Sequence, residues 1–197
     1  MRIRLVWALL VTSVAQAQPA TKPLWWVSDD SLLEFVATQQ GADFSGRFER
    51  FEAAIRFDPA TPDSGSLSMS VATASVNTFY DDRDELLRGP DLLDVVRWPE
   101  ATFVSDRIHH IDLHRFEASG ELTIRDQTHR IRLPFSFEVI EDKAQLGGEV
   151  AISRLDYGVG QGDWSNTEWV GEDVTIRFEL HLEAPDQATE ERALLQE

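Results

Sequence analysis

The sequence predicts an all-β protein of about eight strands, joined mainly as antiparallel hairpins. Apolar residues alternate with polar ones over several stretches, which is the period of a half-buried strand. Clusters of turn-forming residues separate those stretches. No helical pattern is long enough to plate a sheet, so the apolar face must be covered by more sheet, in a sandwich or a closed barrel.

The alternation is clearest in four runs. Phe51, Ala53, Ile55 and Phe57 share one face of the first, and Leu67, Met69 and Val71 share one face of the second. Ile131, Leu133, Phe135, Phe137 and Val139 form the third, and Val174, Ile176, Phe178, Leu180 and Leu182 the fourth. Residues 32–40, 102–108, 118–125 and 146–153 read as weaker strands. Turns are expected at residues 58–65, 141–143 and 158–162, where Asp, Pro, Gly and Lys cluster. Residues 81–88 break the pattern. They are rich in helix formers, with acids in the first turn where the helix dipole favours them. Gly89 can stop this helix, and Pro90 suits the first position of a second short helix over 90–95. The pair would form a helical plug around residues 81–95 across one barrel mouth.

The start of the chain points to export. Arg2 and Arg4, an apolar run over 5–14 and the Ala15-Gln16-Ala17 triplet read as a signal peptide cleaved after Ala17. The run is too short for the roughly 20 residues that span a bilayer. Residues 18–24 read as a flexible lead-in, residues 25–184 as the barrel domain, and residues 185–197 as an acidic tail. Loss of Arg2 and Arg4 leaves 16 basic residues against 35 acidic ones, a formal net charge of −19. Such a surface repels nucleic acid and anionic lipid head groups. The chain has no cysteine, so disulfides, thiol nucleophiles and cysteine-ligated metals are excluded.

Several blocks, in order, resemble the YceI family. They are Arg83-Asp84-Glu85-Leu86-Leu87-Arg88-Gly89-Pro90-Asp91-Leu92-Leu93 followed by Trp98-Pro99-Glu100-Ala101-Thr102-Phe103, then Gly120-Glu121-Leu122-Thr123-Ile124, and Ile152-Ser153-Arg154-Leu155-Asp156-Tyr157-Gly158-Val159-Gly160. Residues 44–48 and 74–78 fit as well. The resemblance covers residues 25–184 and implies an eight-stranded antiparallel lipocalin-like barrel. It further implies a bacterial, often periplasmic protein that holds a polyisoprenoid or an isoprenoid quinone tail in its lumen. A homodimer and a cytochrome b-type partner are also expectations of the family. This chain carries Leu86 where many members have His, and Leu92 and Leu93 where many have aromatics.

The inward face is the main candidate for binding. Phe35, Phe48, Ile55, Phe57, Met69, Val71, Phe103, Leu122, Ile124, Phe135 and Phe178 are placed there by alternation, and Leu86, Leu87, Leu92 and Leu93 by the apolar side of the plug. The competing reading is a filled core, as in small closed barrels. Asn77, Tyr80, Arg83, Arg88 and Trp164 are candidates for contact with a polar head group, Arg being suited to bidentate donation. Arg83 and Arg88 could equally pair with Asp84 on a solvated helix. Trp25, Trp26, Trp98 and Trp169 fit core or rim packing better than ring stacking. His110, Asp112 and His114 share one strand face, as metal ligands can, but their mixed polar setting fits an exposed hairpin tip. No nucleophile elbow, zinc-protease helix or phosphate loop is present. The reading is a binding protein with no catalytic residues, no metal and no cofactor beyond a bound isoprenoid-type lipid or quinone.

Overall fold

The computed structural model describes residues 24–184, so the expected signal peptide, most of the expected lead-in and the acidic tail lie outside the described residues. Eleven strand segments form one continuous antiparallel sheet. These are β1 (Leu24–Val27), β2 (Leu32–Gln39), β3 (Ala42–Phe48), β4 (Phe51–Arg56), β5 (Ser66–Ala72), β6 (Val76–Asn77), β7 (Glu100–Asp112), β8 (Arg115–Ile124), β9 (Gln127–Ile140), β10 (Lys143–Ser153) and β11 (Val170–Glu183).

Eleven segments make a closed barrel of eight strands, because three of the eight are interrupted. β1 and β2 both pair with β11, with Trp26 opposite Glu183 and Phe35 opposite Ile176. β3 pairs with β2 while β4 pairs with β1, and β5 and β6 continue the same pattern against β4 and β3. Buried serines mend the breaks. Ser31 Oγ accepts from the His181 amide at 3.0 Å where β1 gives way to β2. Ser75 Oγ accepts from the Arg50 amide at 3.0 Å and donates to Ala72 O at 2.7 Å between β5 and β6. Ser105 Oγ accepts from the Leu67 amide at 2.8 Å, beside a register shift in β7. A kinked strand leaves ladder groups unpaired, and a hydroxyl that both donates and accepts can satisfy them in place. The alternation shows the faces; it does not show these breaks.

β1 and β3 were not among the expected strands. β1 begins in the stretch read as lead-in, and Gly46 in β3 dilutes the apolar period. Gly46 has a packing reason: a Cβ there would lie 2.5 Å from the Phe35 ring. The helix forms where expected, as α1 (Asp81–Arg88). The second short helix does not. Residues 90–97 run as successive turns, and Asp94 adopts a left-handed φ of 48°. Carbonyls that a helix would use internally are taken from outside. Arg125 donates to Pro90 O and Leu92 O, and the Gly160 and Gln161 amides both donate to Asp91 O.

The two barrel ends differ. At one end the interior is solid with aromatic rings. Phe57 meets Phe116, Phe135 and Phe137 at centroid distances of 4.9, 5.5 and 4.9 Å, and Trp25 packs edge-on to Phe137 at 5.5 Å. Trp25 also donates from its indole nitrogen to Phe57 O at 2.9 Å. The β7–β8 hairpin tip lies at this end. There His110 Nε2 sits 3.1 Å from Leu113 O, so its ring turns toward its own turn. The other end is roofed by α1, the 89–98 turns and the loop between β10 and β11.

Candidate functional site

Two apolar chambers lie inside the barrel. The upper one, of about 230 Å³, opens beneath α1, and the lower one, of about 140 Å³, lies toward the aromatic end. Phe48, Leu93, Ile124 and Ile176 line both, so the chambers adjoin across these four side chains. Together they fall at the lower end of the usual ligand-pocket range of about 300–1,000 Å³.

The chambers differ in chemistry. The polar residues around the lower one are only Ser68, Thr73 and Thr102. The upper one is bordered by Tyr80, Asp82 and Arg83 from the start of α1, by Gln39 at the end of β2, and by Arg154, Tyr157 and Trp164 from the β10–β11 loop. An end lined with polar groups and an end without them fit a ligand that has one polar terminus.

α1 is held over the mouth from both of its ends. The buried Asp84 carboxylate reaches back to accept from the Thr78 amide at 2.8 Å and the Thr78 hydroxyl at 2.7 Å, which fixes the entry into the helix. At the far end Arg88 donates to Ala74 O at 3.0 Å and to Val76 O at 2.6 Å. Those donations use strand-edge carbonyls that β7 leaves unpaired. Arg83 spends its charge differently. Its guanidinium lies 4.2 Å from the Phe44 ring centroid and 5.7 Å from that of Tyr80, a cation–π arrangement at the rim.

The β10–β11 loop folds around Arg154, which is 4% exposed. Its Nε, Nη1 and Nη2 donate to Gly171 O, Val159 O and Val170 O, each at 2.8 Å. Gly160 must be glycine here, because its φ is 122° and a Cβ would stand 1.9 Å from Arg154 Nη1. Burial draws the Arg154 pKa below the ordinary arginine value, and the charge of Glu172 opposes that shift. Tyr157 packs edge-on to His129 at 5.0 Å. Burial, with the nearby Asp156 charge adding, pushes its hydroxyl up to about 12, so it keeps its proton as a donor at neutral pH.

The residues expected at the site fall into four groups. Phe35, Phe48 and Ile124 line the upper chamber with Leu86, Leu87, Leu92 and Leu93, although Leu86 is also half exposed. Ile55, Met69, Val71, Phe103, Leu122 and Phe178 line the lower chamber. Phe57 and Phe135 belong instead to the solid aromatic end, because the barrel narrows there around four phenylalanines. Of the expected head-group residues, Tyr80, Arg83 and Trp164 border the upper chamber, whereas Asn77 and Arg88 do not. Asn77 donates to Glu49 at 2.8 Å on the outside. Arg88 is committed to the two carbonyls named above. Arg154 and Tyr157 carry the buried polar chemistry of the chamber, and sequence reading did not single them out. Their signal was present: an arginine one residue beyond an alternating strand, followed by a tyrosine and two closely spaced glycines.

A closed antiparallel barrel with an apolar, partly hollow interior and a polar rim at one end defines the class of calyx-like barrels. Within that class the chain belongs to the YceI-like domain family, whose model matches residues 26–182. A UPF0312 protein of Pseudomonas savastanoi pv. phaseolicola is 28% identical over 176 residues, covering 85% of this chain and 89% of that one. The crystal structure of Burkholderia cenocepacia BcnA superposes with a TM-score of 0.77 at 29% identity, covering 79% of this chain and 98% of that one. A polyisoprenoid binding domain from Saccharophagus degradans, implicated in plant cell wall breakdown, shares the fold with a TM-score of 0.65 at 17% identity. That match covers 84% of this chain and 99% of the other.

Proposed function

We propose that this protein is an exported carrier for a long-chain apolar lipid, of the polyisoprenoid or isoprenoid quinone type, held in the barrel lumen. The observation that carries the reading is the pair of adjoining apolar chambers with polar residues gathered at the upper one. The polyisoprenoid binding domain that shares the fold supports the ligand class. The leader pattern read at residues 1–17 supports export to the periplasm.

The energetics favour exchange. Each methylene taken from water contributes about 0.8 kcal/mol, but a bilayer offers the same chain an equally apolar site. The net preference between protein and membrane is therefore small, and a carrier needs release as much as capture. Binding, not turnover, is the proposed role, with the lipid as cargo and no other cofactor. Organic extraction and native mass spectrometry of the purified protein test this, followed by loading with polyprenyl phosphate and with a quinone. Co-purifying lipid or uptake of either probe is the expected result. A lumen that stays empty through both steps overturns the proposal.

A second reading makes the barrel a scaffold for a membrane partner such as a cytochrome b. The exposed Phe79, Tyr80 and Val96 near the roofed end favour it. Variants that fill the lumen separate the two readings, because a scaffold would keep its activity.

A further inference from the structure

We propose that Arg154 and Tyr157 form a seat inside the upper chamber for the acceptor-oxygen end of the cargo, a carboxylate or a quinone-type carbonyl on an apolar chain. This rests on the carrier reading above and names which end of the lipid goes where.

Arg154 is buried and positively charged, yet its three hydrogen-bond acceptors are neutral backbone carbonyls. Among the described residues it makes no ion pair. A guanidinium has five N–H groups. Three are used, which leaves one on each terminal nitrogen. The charge of Glu172 acts on it without forming an ion pair, burial of the cation still carries a cost, and an oxygen acceptor offered by a ligand offsets part of that cost. Tyr157 supplies the second observation. It is 2% exposed and lines the same chamber, and among the described residues its hydroxyl makes no hydrogen bond. The two residues sit in one turn, with the Tyr157 amide donating to Arg154 O at 3.3 Å. Two residues with unspent donors therefore line one apolar chamber, and both are suited to an acceptor.

Arg83 is less suited to the task, because it stands at the rim with its charge spread over Phe44. The lower chamber has only hydroxyl side chains among its polar lining, so it takes the tail. An alcohol end satisfies the hydroxyl of Tyr157 but gives the guanidinium no charge and a poorer acceptor.

The test uses the delipidated protein titrated with hexadecanoate, hexadecanol and a short-tailed benzoquinone, read by native mass spectrometry and by the fluorescence of Trp164 and its neighbours. Hexadecanoate or the quinone binds more tightly than the alcohol by a factor of about ten to a hundred, the range for hydrogen bonds to a charged group. Preference for the acid alone identifies a carboxylate cargo, and preference for the quinone alone a carbonyl one. R154K and Y157F each lower that preference several-fold; Y157F removes one hydroxyl without touching the carbonyl cradle, so it reports even if R154K fails to fold. Equal binding of all three probes, or a preference unchanged in Y157F, overturns the seat and leaves the carrier intact. Failure of every probe to bind overturns the carrier reading and the seat with it.

Discussion

The two ends of the barrel are built from the same alternating strands and reach opposite results. At the aromatic end four phenylalanines and Trp25 close the interior, with ring centroids about 5 Å apart. At the roofed end, Phe35, Leu93 and Ile176 stand around open space. Four phenylalanines and Trp25 packed ring on ring fill the interior at one end, whereas the mixed aromatic and aliphatic side chains beneath a separate roof leave space. Dense packing and open space are thereby placed at different ends of one strand set.

The sharpest way to break that comparison is to truncate one side chain at each end. Phe57→Ala should cost about 3–5 kcal/mol in denaturant unfolding, as expected for a fully packed ring. Leu87→Ala, beside the upper chamber at the roofed end, should cost markedly less, because its surroundings are already under-packed. Equal costs would show that the hollow end is as tightly packed as the aromatic one. Next in size, Leu93→Trp fills the junction between the chambers. Lipid uptake measured by mass spectrometry should be lost, while stability shifts by no more than the roughly 1–3 kcal/mol of overpacking.

A smaller effect is expected at the roof. Arg88→Met removes two hydrogen bonds that tie α1 to the strand edge, at a cost of about 1–2 kcal/mol. Limited proteolysis should then cut near residues 79–97 before it cuts the barrel. The smallest effect concerns pH at the aromatic end. His181 Nδ1 lies 2.9 Å from Asp30 and Nε2 lies 3.4 Å from Glu179. The hydrogen bond to Asp30 chiefly raises the His181 pKa above 6.5 and lowers that of Asp30 below 3.8. A raised histidine stabilises fully below its unfolded value and loses that contribution as pH rises through the folded one. A lowered aspartate loses its contribution as pH falls through its folded value. The Tm difference between the wild type and His181→Gln should therefore be largest between these limits and shrink on both sides. A difference constant from pH 4 to pH 9 would remove the pair from any account of stability.

Much of this architecture was legible in the sequence, and the parts that were not have physical causes. Period-two alternation identifies the faces of β4, β5, β9 and β11 because each buries one side only. It cannot locate the breaks at Ser31 and Ser75, since a hydroxyl that mends a ladder looks like any polar residue on the outer face. The helix at 81–88 was legible from local composition. The segment over 90–95 was misread as a helix because Pro90 and the leucines fit one, while the donors that capture its carbonyls, Arg125 and the Gly160 and Gln161 amides, come from distant parts of the chain. Apolar lining was readable from alternation, but the division between filled and hollow was not. It depends on which rings share a level, and so on register. Arg88 and Arg154 invert the expectation for charged groups. The arginine on the helix is structural, and the one after a strand faces the chamber.

The single carbonyl of Asp91 receives the amides of Gly160 and Gln161 at 2.9 and 2.7 Å, and so joins the roof to the loop that cradles Arg154. Those two amides can exchange with solvent only when that junction parts. Their deuterium uptake is thus a clock for the opening of the barrel, one that runs in the empty protein and needs no label on the cargo.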